Sequence, residues 1–291
     1  MARPCTVVVN PVAGGYRPEL IEQLSATLRT GGQRPQVRLT TAAGDAERFA
    51  RAAAATGDPF IVACGGDGTI AETLAGIGPA PATLALIPLG TANVLAREIG
   101  ISRIDEALAA LARQVTRPLA LGRAEAGGSQ RPFALMAGIG FDGRVVAALR
   151  PGEKRRLGKG AYLLAALRCL ARWESTPLSV AVDGRPLTCA GLIICNASRY
   201  GGGFLLAPAA DLFTSSFQVV CVTAPGRSAY LRLTLAIVAG RGPRCRGVMV
   251  LPATTVSVTG SAPVQLDGDS WLPTPAIFTA EPSAIRLVVP E

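Results

Sequence analysis

The sequence has 291 residues, is 49% hydrophobic, and carries 29 Lys and Arg against 20 Asp and Glu, a formal net charge of +9. Such a chain buries a substantial core and is more readily two domains than one, and its charge favours nucleic acid, anionic lipid or phosphorylated ligands without choosing among them. Histidine is absent, which excludes His–Asp–Ser catalysis, HExxH chemistry and His-ligated metals and leaves Asp and Glu as the proton acceptors.

The seven cysteines are scattered and form no CxxC pair. This spacing argues against a disulfide framework and a zinc site, and it fits a reducing cytoplasm. The N-terminal "CTVVV" is too short for a signal peptide, and no stretch approaches the roughly 18 uncharged apolar residues that a spanning helix needs. We therefore expect a soluble or peripheral protein.

The first part of the chain alternates short apolar runs with helical patterns. The runs predict buried strands over residues 6–10, 35–41, 60–66 and 83–90. The helical patterns lie at Leu20/Leu24/Leu28, residues 45–55, Ile70/Leu74/Ile77 and Ile104/Leu108/Leu111. This alternation is typical of a parallel α/β sheet, and it stops near residue 122, where we expect a domain boundary.

From residue 117 to residue 223 the apolar pattern changes to period two, which predicts a mainly β second domain. Asp183-Gly184 reads as a hairpin turn within it. Helices are expected in the basic segment 153–174 and near 227–240, and a final strand over 283–290 whose partner the pattern does not reveal.

The segment "IVACGGDGTIAETL" (61–74) places a glycine-rich loop between a strand and a helix. Nucleotides bind at this position in open α/β sheets, because free N–H groups and the positive helix end both point at an anion. Asp67 would repel phosphates unless a divalent cation lies between them or it takes a proton from an attacking hydroxyl. A plain Gly-Asp-Gly turn is the alternative.

Seven motifs in order resemble the diacylglycerol kinase catalytic-domain family of bacterial lipid kinases, relatives of sphingosine and ceramide kinases. They are "NPVAGG" (10–15), "TTAAGDA" (40–46), "GGDGT" (65–69), "PLGTANVLARE" (88–98), "GIGFDG" (138–143), "CNASRYGGGFLLAP" (195–208) and "QLDGDSW" (265–271). Together they extend over nearly the whole chain.

The resemblance implies an α/β N-terminal domain like that of NAD kinases and a C-terminal β-sandwich domain. The first would comprise residues 1–122 with 276–291 returning to it, and the second residues 123–275. ATP would lie in the cleft between them, and the second domain would hold most of the lipid.

The resemblance also implies the site residues. Asp67 would position Mg²⁺ or share proton transfer, Asp267 would be the catalytic base, and Asp269 would stand for the family's usual Glu. The groups expected around ATP are Asn10, Pro11, Thr40, Gly65, Gly66, Asp67, Gly68, Thr69, Thr91 and Asn93. For Asp267-Gly268 a hairpin turn like Asp183-Gly184 is the alternative interpretation.

Four positions depart from the family pattern or leave their role open. Thr214 and Ser215 replace an Asp-Gly that contributes to a second, structural metal site, for which Asp211 is a weak substitute. Val94 stands where many relatives have Asp, so no carboxylate role is carried over to it. Asp142 is expected to be structural, since an Asp in a turn commonly bonds its own backbone.

Basic residues cluster in the second domain, which suggests reversible attachment of a peripheral enzyme to an anionic membrane at the cytoplasmic side. One cluster comprises Arg150, Lys154, Arg155, Arg156, Lys159, Arg168 and Arg172, and the other is the five Arg between residues 212 and 266. A solvated helix face with Leu163, Leu167 and Leu170 turned to the core is the alternative for the first cluster.

The leading hypothesis is an ATP- and Mg²⁺-dependent kinase acting on diacylglycerol, a sphingoid base or a related lipid. The alternatives are an NAD kinase and a non-catalytic nucleotide-sensing or anionic-surface-binding protein of the same fold. A nucleic-acid role is disfavoured, since only 5% of residues are aromatic and no stacking platform stands out. The oligomeric state is open, a homodimer included.

Overall fold

In the computed structural model, residues 2–57, 59–150, 152–153, 157–158, 160–173, 177–201 and 203–291 are described. The chain forms two compact units, Met1–Leu119 with Pro282–Glu291, and Ala120–Glu281. The domain boundaries expected near residues 122 and 276 stay predictions. Among the described residues, no helix is long and apolar enough to cross a membrane.

The first unit is an α/β layer structure. Its strands are β1 (Arg3–Val9), β2 (Gln33–Leu39), β3 (Phe60–Gly65) and β4 (Ala82–Pro88). Its helices are α1 (Pro18–Thr30), α2 (Asp45–Ala54), α3 (Asp67–Ile77), α4 (Val94–Glu98) and α5 (Ile104–Arg113). The strands run parallel in the order β2-β1-β3-β4.

Burial in this unit follows the apolar pattern of the sequence. Every residue of β3 is buried, as expected for a central parallel strand. Leu20, Leu24 and Leu28 form the buried stripe of α1. Beyond β4, Ile285 lies beside Ala82 in a further parallel strand, which identifies the partner that the sequence pattern did not reveal.

The second unit is mainly antiparallel β. Its strands are β5 (Thr116–Ala126), β6 (Ser129–Phe133), β7 (Met136–Ile139), β8 (Leu178–Val182), β9 (Arg185–Cys189), β10 (Gly191–Cys195), β11 (Arg199–Tyr200), β12 (Phe204–Leu205), β13 (Phe217–Val222), β14 (Val248–Ala253), β15 (Thr255–Thr259), β16 (Val264–Leu266), β17 (Asp269–Trp271) and β18 (Ala276–Val288). Its helices are α6 (Phe141–Ala147), α7 (Gly160–Ala171) and α8 (Arg227–Val238). Strands β5 and β18 begin in one unit and end in the other.

Two sheets of the second unit pack around one apolar core. One has the order β14-β13-β10-β7-β16-β17, and the other contains β18-β15-β8-β9. Phe133, Phe217 and Phe278 meet in this core, with ring centroids 5.7 and 6.4 Å from that of Phe133. This arrangement fixes the position of the β16–β17 turn, where the predicted catalytic Asp267 lies.

The structure differs from the sequence-based expectations about helices in two respects. The sequence patterns did not predict α4 and α6. These helices have five and seven residues, which is too short for a periodic apolar signal. The alternative interpretation of the first basic cluster was wrong for Leu163 and Leu167, because both side chains are exposed and Ala161 and Ala165 form the buried face of α7. Lys154, Arg155, Arg156 and Lys159 of that cluster lie outside the described residues.

Close packing of α2 on α3 generates the first prediction. A Cβ on Gly76 would lie 2.2 Å from the carbonyl oxygen of Glu47, whereas a Cβ on Gly160 would have its nearest neighbour at 3.8 Å. Gly76→Ala is expected to lower the free energy of unfolding by about 1–3 kcal/mol because the helices must separate. Gly160→Ala is the matched control, and chemical denaturation measures both. Equal stability of the two variants would contradict the packing argument.

Candidate active site

Three parallel strands end side by side in the first unit, and the loops after them carry most of the predicted nucleotide residues. The ladder extends one residue past the strands, since Asn10 N–H donates to Cys64 O (2.9 Å) and Leu89 N–H donates to Gly65 O (3.0 Å). Asn10, Gly66 and the 88–93 loop are thereby brought to one edge of the sheet. Thr40 is held there as well, by donation of its N–H to Val9 O (2.8 Å).

The glycine loop after β3 touches the loop after β4 through its backbone. A Cβ on Gly90 would lie 2.5 Å from the Cα of Gly66, so both positions need glycine for the chain's own packing. Gly68 differs, because it is exposed and no atom lies within 4 Å of the position that a Cβ would occupy. Internal packing therefore does not account for the glycine at position 68, and the loop is open to solvent at this point.

Asn93 shapes the second loop. It adopts φ +47°, in the left-handed region, and its side chain closes a ring with Gly90 by accepting from Gly90 N–H (2.9 Å) and donating to Gly90 O (2.7 Å). Thr91, between them, is exposed. The structure thus gives buried Asn93 a loop-holding role and leaves the Thr91 side chain at the surface.

Asp67 begins α3, and its carboxylate reaches the start of a different helix. Its Oδ1 accepts the Val94 N–H at 2.6 Å, at the first residue of α4. A negative charge at a helix N-terminus is stabilising. Val94 therefore contributes to this site through its main chain.

Asn10 and Thr69 connect the first loop to the glycine loop. Asn10 Nδ2 donates to Thr69 Oγ1 (3.3 Å), and Asn10 Oδ1 accepts the Val12 N–H (3.1 Å). Pro11 has no N–H and is half-buried beside them. These contacts place Asn10, Pro11, Gly65, Gly66, Asp67, Gly68 and Thr69 in one neighbourhood; their role at ATP stays a prediction.

Asp267 lies in the second unit, at the turn of a two-residue hairpin. Leu266 pairs with Asp269, and Asp267 and Gly268 have φ values of +50° and +90°, which is the geometry of a type I′ turn. The hairpin interpretation is therefore correct. Asp267 also makes contacts outside the hairpin. Its carboxylate accepts three main-chain N–H groups, from Ala134 (2.7 Å), Leu135 (2.8 Å) and Met136 (2.9 Å).

Asp183 is built in the same way, which makes it a reference for Asp267. It occupies the first position of the β8–β9 hairpin turn with φ +46°. Its carboxylate accepts N–H groups of Thr254 (3.0 Å) and Thr255 (2.8 Å). The two aspartates thus share turn type and bonding, and Asp183 is exposed whereas Asp267 is half-buried.

Asp142 lies in the first turn of α6 and is almost fully buried. Its carboxylate accepts hydrogen bonds from Tyr200 Oη and from Gln265 Nε2 (2.7 Å). Burial raises the pKa of Asp142, and these two hydrogen bonds act in the opposite direction. Burial and the neighbouring Asp142 charge raise the pKa of Tyr200. Asp142 bonds distant side chains, so the expected local turn bond was wrong.

Asp269 and Asp211 are the remaining carboxylates for which the sequence predicted a role. Asp269 begins β17 beside the hairpin and is half-buried. Asp211 accepts the N–H of Phe213 (3.0 Å) within its own turn, and Thr214 Oγ1 donates to the Asp211 carbonyl. Within the described part of the chain, no group of three Cys, Asp or Glu is suited to hold a metal ion. The metal role suggested for Asp211 stays a prediction.

The groups around Asp67 fit a nucleotide with Mg²⁺. Mg²⁺ commonly takes one or two carboxylates together with phosphate and water oxygens, so a single protein carboxylate suffices as a ligand. Asp67 has one oxygen on Val94 N–H and lies next to the open side of Gly68. The donors of the α3 N-terminus lie beside it, as anion binding requires.

Two family models match the chain. Residues 4–124 match the diacylglycerol kinase catalytic domain, and residues 136–289 match the YegS C-terminal NAD kinase beta sandwich-like domain. A Pseudomonas putida protein named "Probable lipid kinase YegS-like" is 34% identical over 90% of this chain and 88% of its own. A diacylglycerol kinase of Mycobacterium tuberculosis is 30% identical over 98% of this chain and 94% of its own.

A solved diacylglycerol kinase structure from Bacillus anthracis superposes with a TM-score of 0.79 over 99% of this chain and 97% of that one. At 22% identity this likeness shows the fold alone. It confirms the expected class, a parallel α/β domain with a β-sandwich domain. The sequence matches then define a kinase. The chain belongs to the diacylglycerol kinase catalytic-domain family of lipid kinases.

Proposed function

We propose that the protein transfers the γ-phosphate of ATP to a hydroxyl group of diacylglycerol or a related lipid at the cytoplasmic face of an anionic membrane. The observation that carries this proposal is the glycine loop of the first unit, where Gly68 is open and Asp67 begins α3 beside it. Support for the lipid acceptor comes from the relatives named as lipid and diacylglycerol kinases.

The donor phosphates are bound by the loop between β3 and α3. Main-chain N–H groups at the start of α3 and the positive end of the helix both favour an anion. Gly68 lets the phosphate approach the backbone, and Thr69 Oγ1, held by Asn10, is the nearby hydroxyl. Asn93 keeps the neighbouring loop in shape.

Asp67 would hold Mg²⁺, and the bound ion would supply positive charge against the phosphates. Its bond to Val94 N–H fixes the orientation of the carboxylate. A metal ligand held in this way loses little conformational entropy on binding the ion.

Asp267 accepts the proton of the lipid hydroxyl. The hydroxyl oxygen attacks the γ-phosphorus, the bond from that phosphorus to the β-phosphate oxygen breaks, and ADP leaves. Three N–H groups fix the orientation of the Asp267 carboxylate. Asp269, at the other end of the turn, supplies a second negative charge close to it.

Membrane attachment rests on charge. The net charge is +9, and no Asp or Glu lies between residues 212 and 266, which include five Arg. Each basic side chain near an anionic bilayer contributes about 1 kcal/mol of binding free energy at moderate salt.

All seven cysteines are free thiols, as a reducing cytoplasm maintains them.

The reaction is tested with γ-labelled ATP, Mg²⁺ and mixed lipid vesicles, with NAD as a competing acceptor. Label is expected in the lipid extract, and transfer to NAD or to water alone would contradict the proposal.

Asp267→Asn should lower kcat by roughly 10²-fold or more because the base is lost. Asp183→Asn, in the matching turn, should keep wild-type kcat, and melting temperatures show whether both variants fold.

The role of Asp67 is tested by Asp67→Asn. The amide oxygen still accepts the Val94 N–H, so the hydrogen bond remains while the charge on the metal ligand is removed. We expect the Mg²⁺ concentration for half-maximal rate to rise and kcat to fall, with an unchanged melting temperature. An unchanged Mg²⁺ dependence would show that Asp67 acts only on α4.

A further inference from the structure

Helix α8 turns one apolar face to solvent. Leu231, Leu235 and Val238 follow each other at helical spacing and are 45%, 68% and 62% exposed. The opposite face, with Ala229, Tyr230 and Leu233, is buried in the unit. The exposed apolar side chains therefore lie outside the contacts that anchor the helix to the unit.

Strand β12 enlarges this apolar face. It contacts α8, and both of its residues, Phe204 and Leu205, are exposed. We call Leu231, Leu235, Val238, Phe204 and Leu205 together the α8 face. Contiguous exposed apolar surfaces of this kind mark interaction sites.

The surroundings of the α8 face are basic. Arg227 lies one helical turn before Leu231, and Arg241, Arg244 and Arg246 follow directly after the helix. All four are exposed, and no acidic residue occurs between residues 212 and 266. An apolar stripe bordered by arginines is typical of helices that lie in the interface of an anionic bilayer.

We infer that the α8 face docks the protein onto an anionic lipid surface, with the apolar side chains in the acyl boundary and the arginines at the head groups. The inference rests on the proposed function, because the acceptor lipid is found in such a surface. A second copy of the chain is a poorer occupant, since a two-fold contact through this face would bring arginines against arginines.

Vesicle sedimentation without ATP tests the docking surface. Wild type should bind vesicles of phosphatidylglycerol and phosphatidylcholine, and phosphatidylcholine alone should bind much less. Leu235→Ser/Val238→Ser should weaken binding about tenfold or more through lost apolar burial. Arg244→Gln/Arg246→Gln should weaken it by a similar factor through lost charge, and added salt should abolish that difference. Val37→Ser, an exposed apolar residue of β2, is the control.

The same variants are assayed on short-chain diacylglycerol in neutral detergent, where wild-type kcat is expected because no bilayer is needed. If wild type binds vesicles and phosphorylates no lipid, the proposed function fails and the docking surface stands. Unchanged vesicle binding of both double variants would overturn the docking surface, and so would a change of oligomeric state without a change in binding.

A separate observation concerns the Asp267 hairpin. Gln265 Oε1 accepts the Gly268 N–H (2.7 Å), and Gln265 Nε2 donates to Asp142, which also accepts from Tyr200. Because an N–H can only donate, the amide oxygen of Gln265 must face Gly268 and its nitrogen must face Asp142. The directions of the two hydrogen bonds that Gln265 makes are therefore fixed.

Asp142 and Gln265 are both buried, so a reversed amide would leave two donors facing each other without water to separate them. We propose that Asp142 is a positioning residue for the catalytic turn: its carboxylate orients Gln265, and Gln265 holds the backbone of the turn that carries Asp267. Asp142 itself touches no reacting atom in this proposal, which rests on the catalytic role of Asp267.

Exchanging the two groups tests the chain of hydrogen bonds. Asp142→Asn alone leaves one acceptor oxygen for two donors, Gln265 Nε2 and Tyr200 Oη, and Gln265→Glu alone places two carboxylates together. The double variant Asp142→Asn/Gln265→Glu restores every bond with the polar groups exchanged and the charge conserved. Each single variant should lower kcat at least about tenfold with little change in KM for ATP, and the double variant should recover most of it.

Melting temperature and the fraction of folded enzyme are measured in parallel. A merely structural role would lower the melting temperature and leave kcat of the folded fraction at the wild-type value, which would overturn the proposal. A double variant no more active than the weaker single variant would overturn it as well. If Asp267→Asn keeps full activity, the proposed function of that residue fails, and this result is distinct from both.

Discussion

The Asp267 carboxylate accepts three main-chain N–H groups from residues 134–136, and the geometry of the hairpin around it depends on this interaction. The same segment is bound from its other side, because Asn196 Nδ2 donates to Ala134 O (2.8 Å) and the N–H of Asn196 donates to Leu135 O (2.9 Å). The strand entry at Ala134–Met136 is thus a fixed frame. Asp67 in the first unit follows the same rule with Val94 N–H. Main-chain N–H donors are suited to orienting a carboxylate, because their positions are set by the secondary structure and they cannot rotate away.

Much of the fold could be predicted from local pattern. The buried strand 60–65, the leucine stripe of α1 and the glycine loop at 65–68 all carry signals within a few residues of each other, since they arise from backbone period and steric need. The hairpin at Asp183-Gly184 was predicted for the same reason. The Asp267-Gly268 turn shows that local signals do not predict contacts with distant segments of the chain. Its hairpin geometry and its proposed chemistry were treated as alternatives, and the structure shows that a turn residue can also bind a distant segment.

The remaining features depend on contacts between residues far apart in the chain. Asp142, Tyr200 and Gln265 lie on one helix and two strands that are far apart in the chain, so a local interpretation assigned Asp142 a bond to its own turn. Exposure of Leu163 and Leu167 was missed because periodicity identifies two faces of a helix without saying which one a neighbour covers, and here small alanines provide the buried face. The solvent-facing stripe of α8 has the same origin. Such faces become visible only when coordinates show what covers each side.

Strand β18 has a consequence for how the protein is made. Its first residues pair with β15 of the second unit, and its last residues pair with β4 of the first. β4 and β15 therefore each lack one neighbouring strand until residues 276–288 have been synthesised, and the edge of β4 stays unpaired while the second unit is being translated. An unpaired edge of a parallel sheet is prone to association with other nascent chains. Residues that follow the second unit in the chain are thus needed to complete the sheet of the first, which ties completion of the first unit to translation of the second.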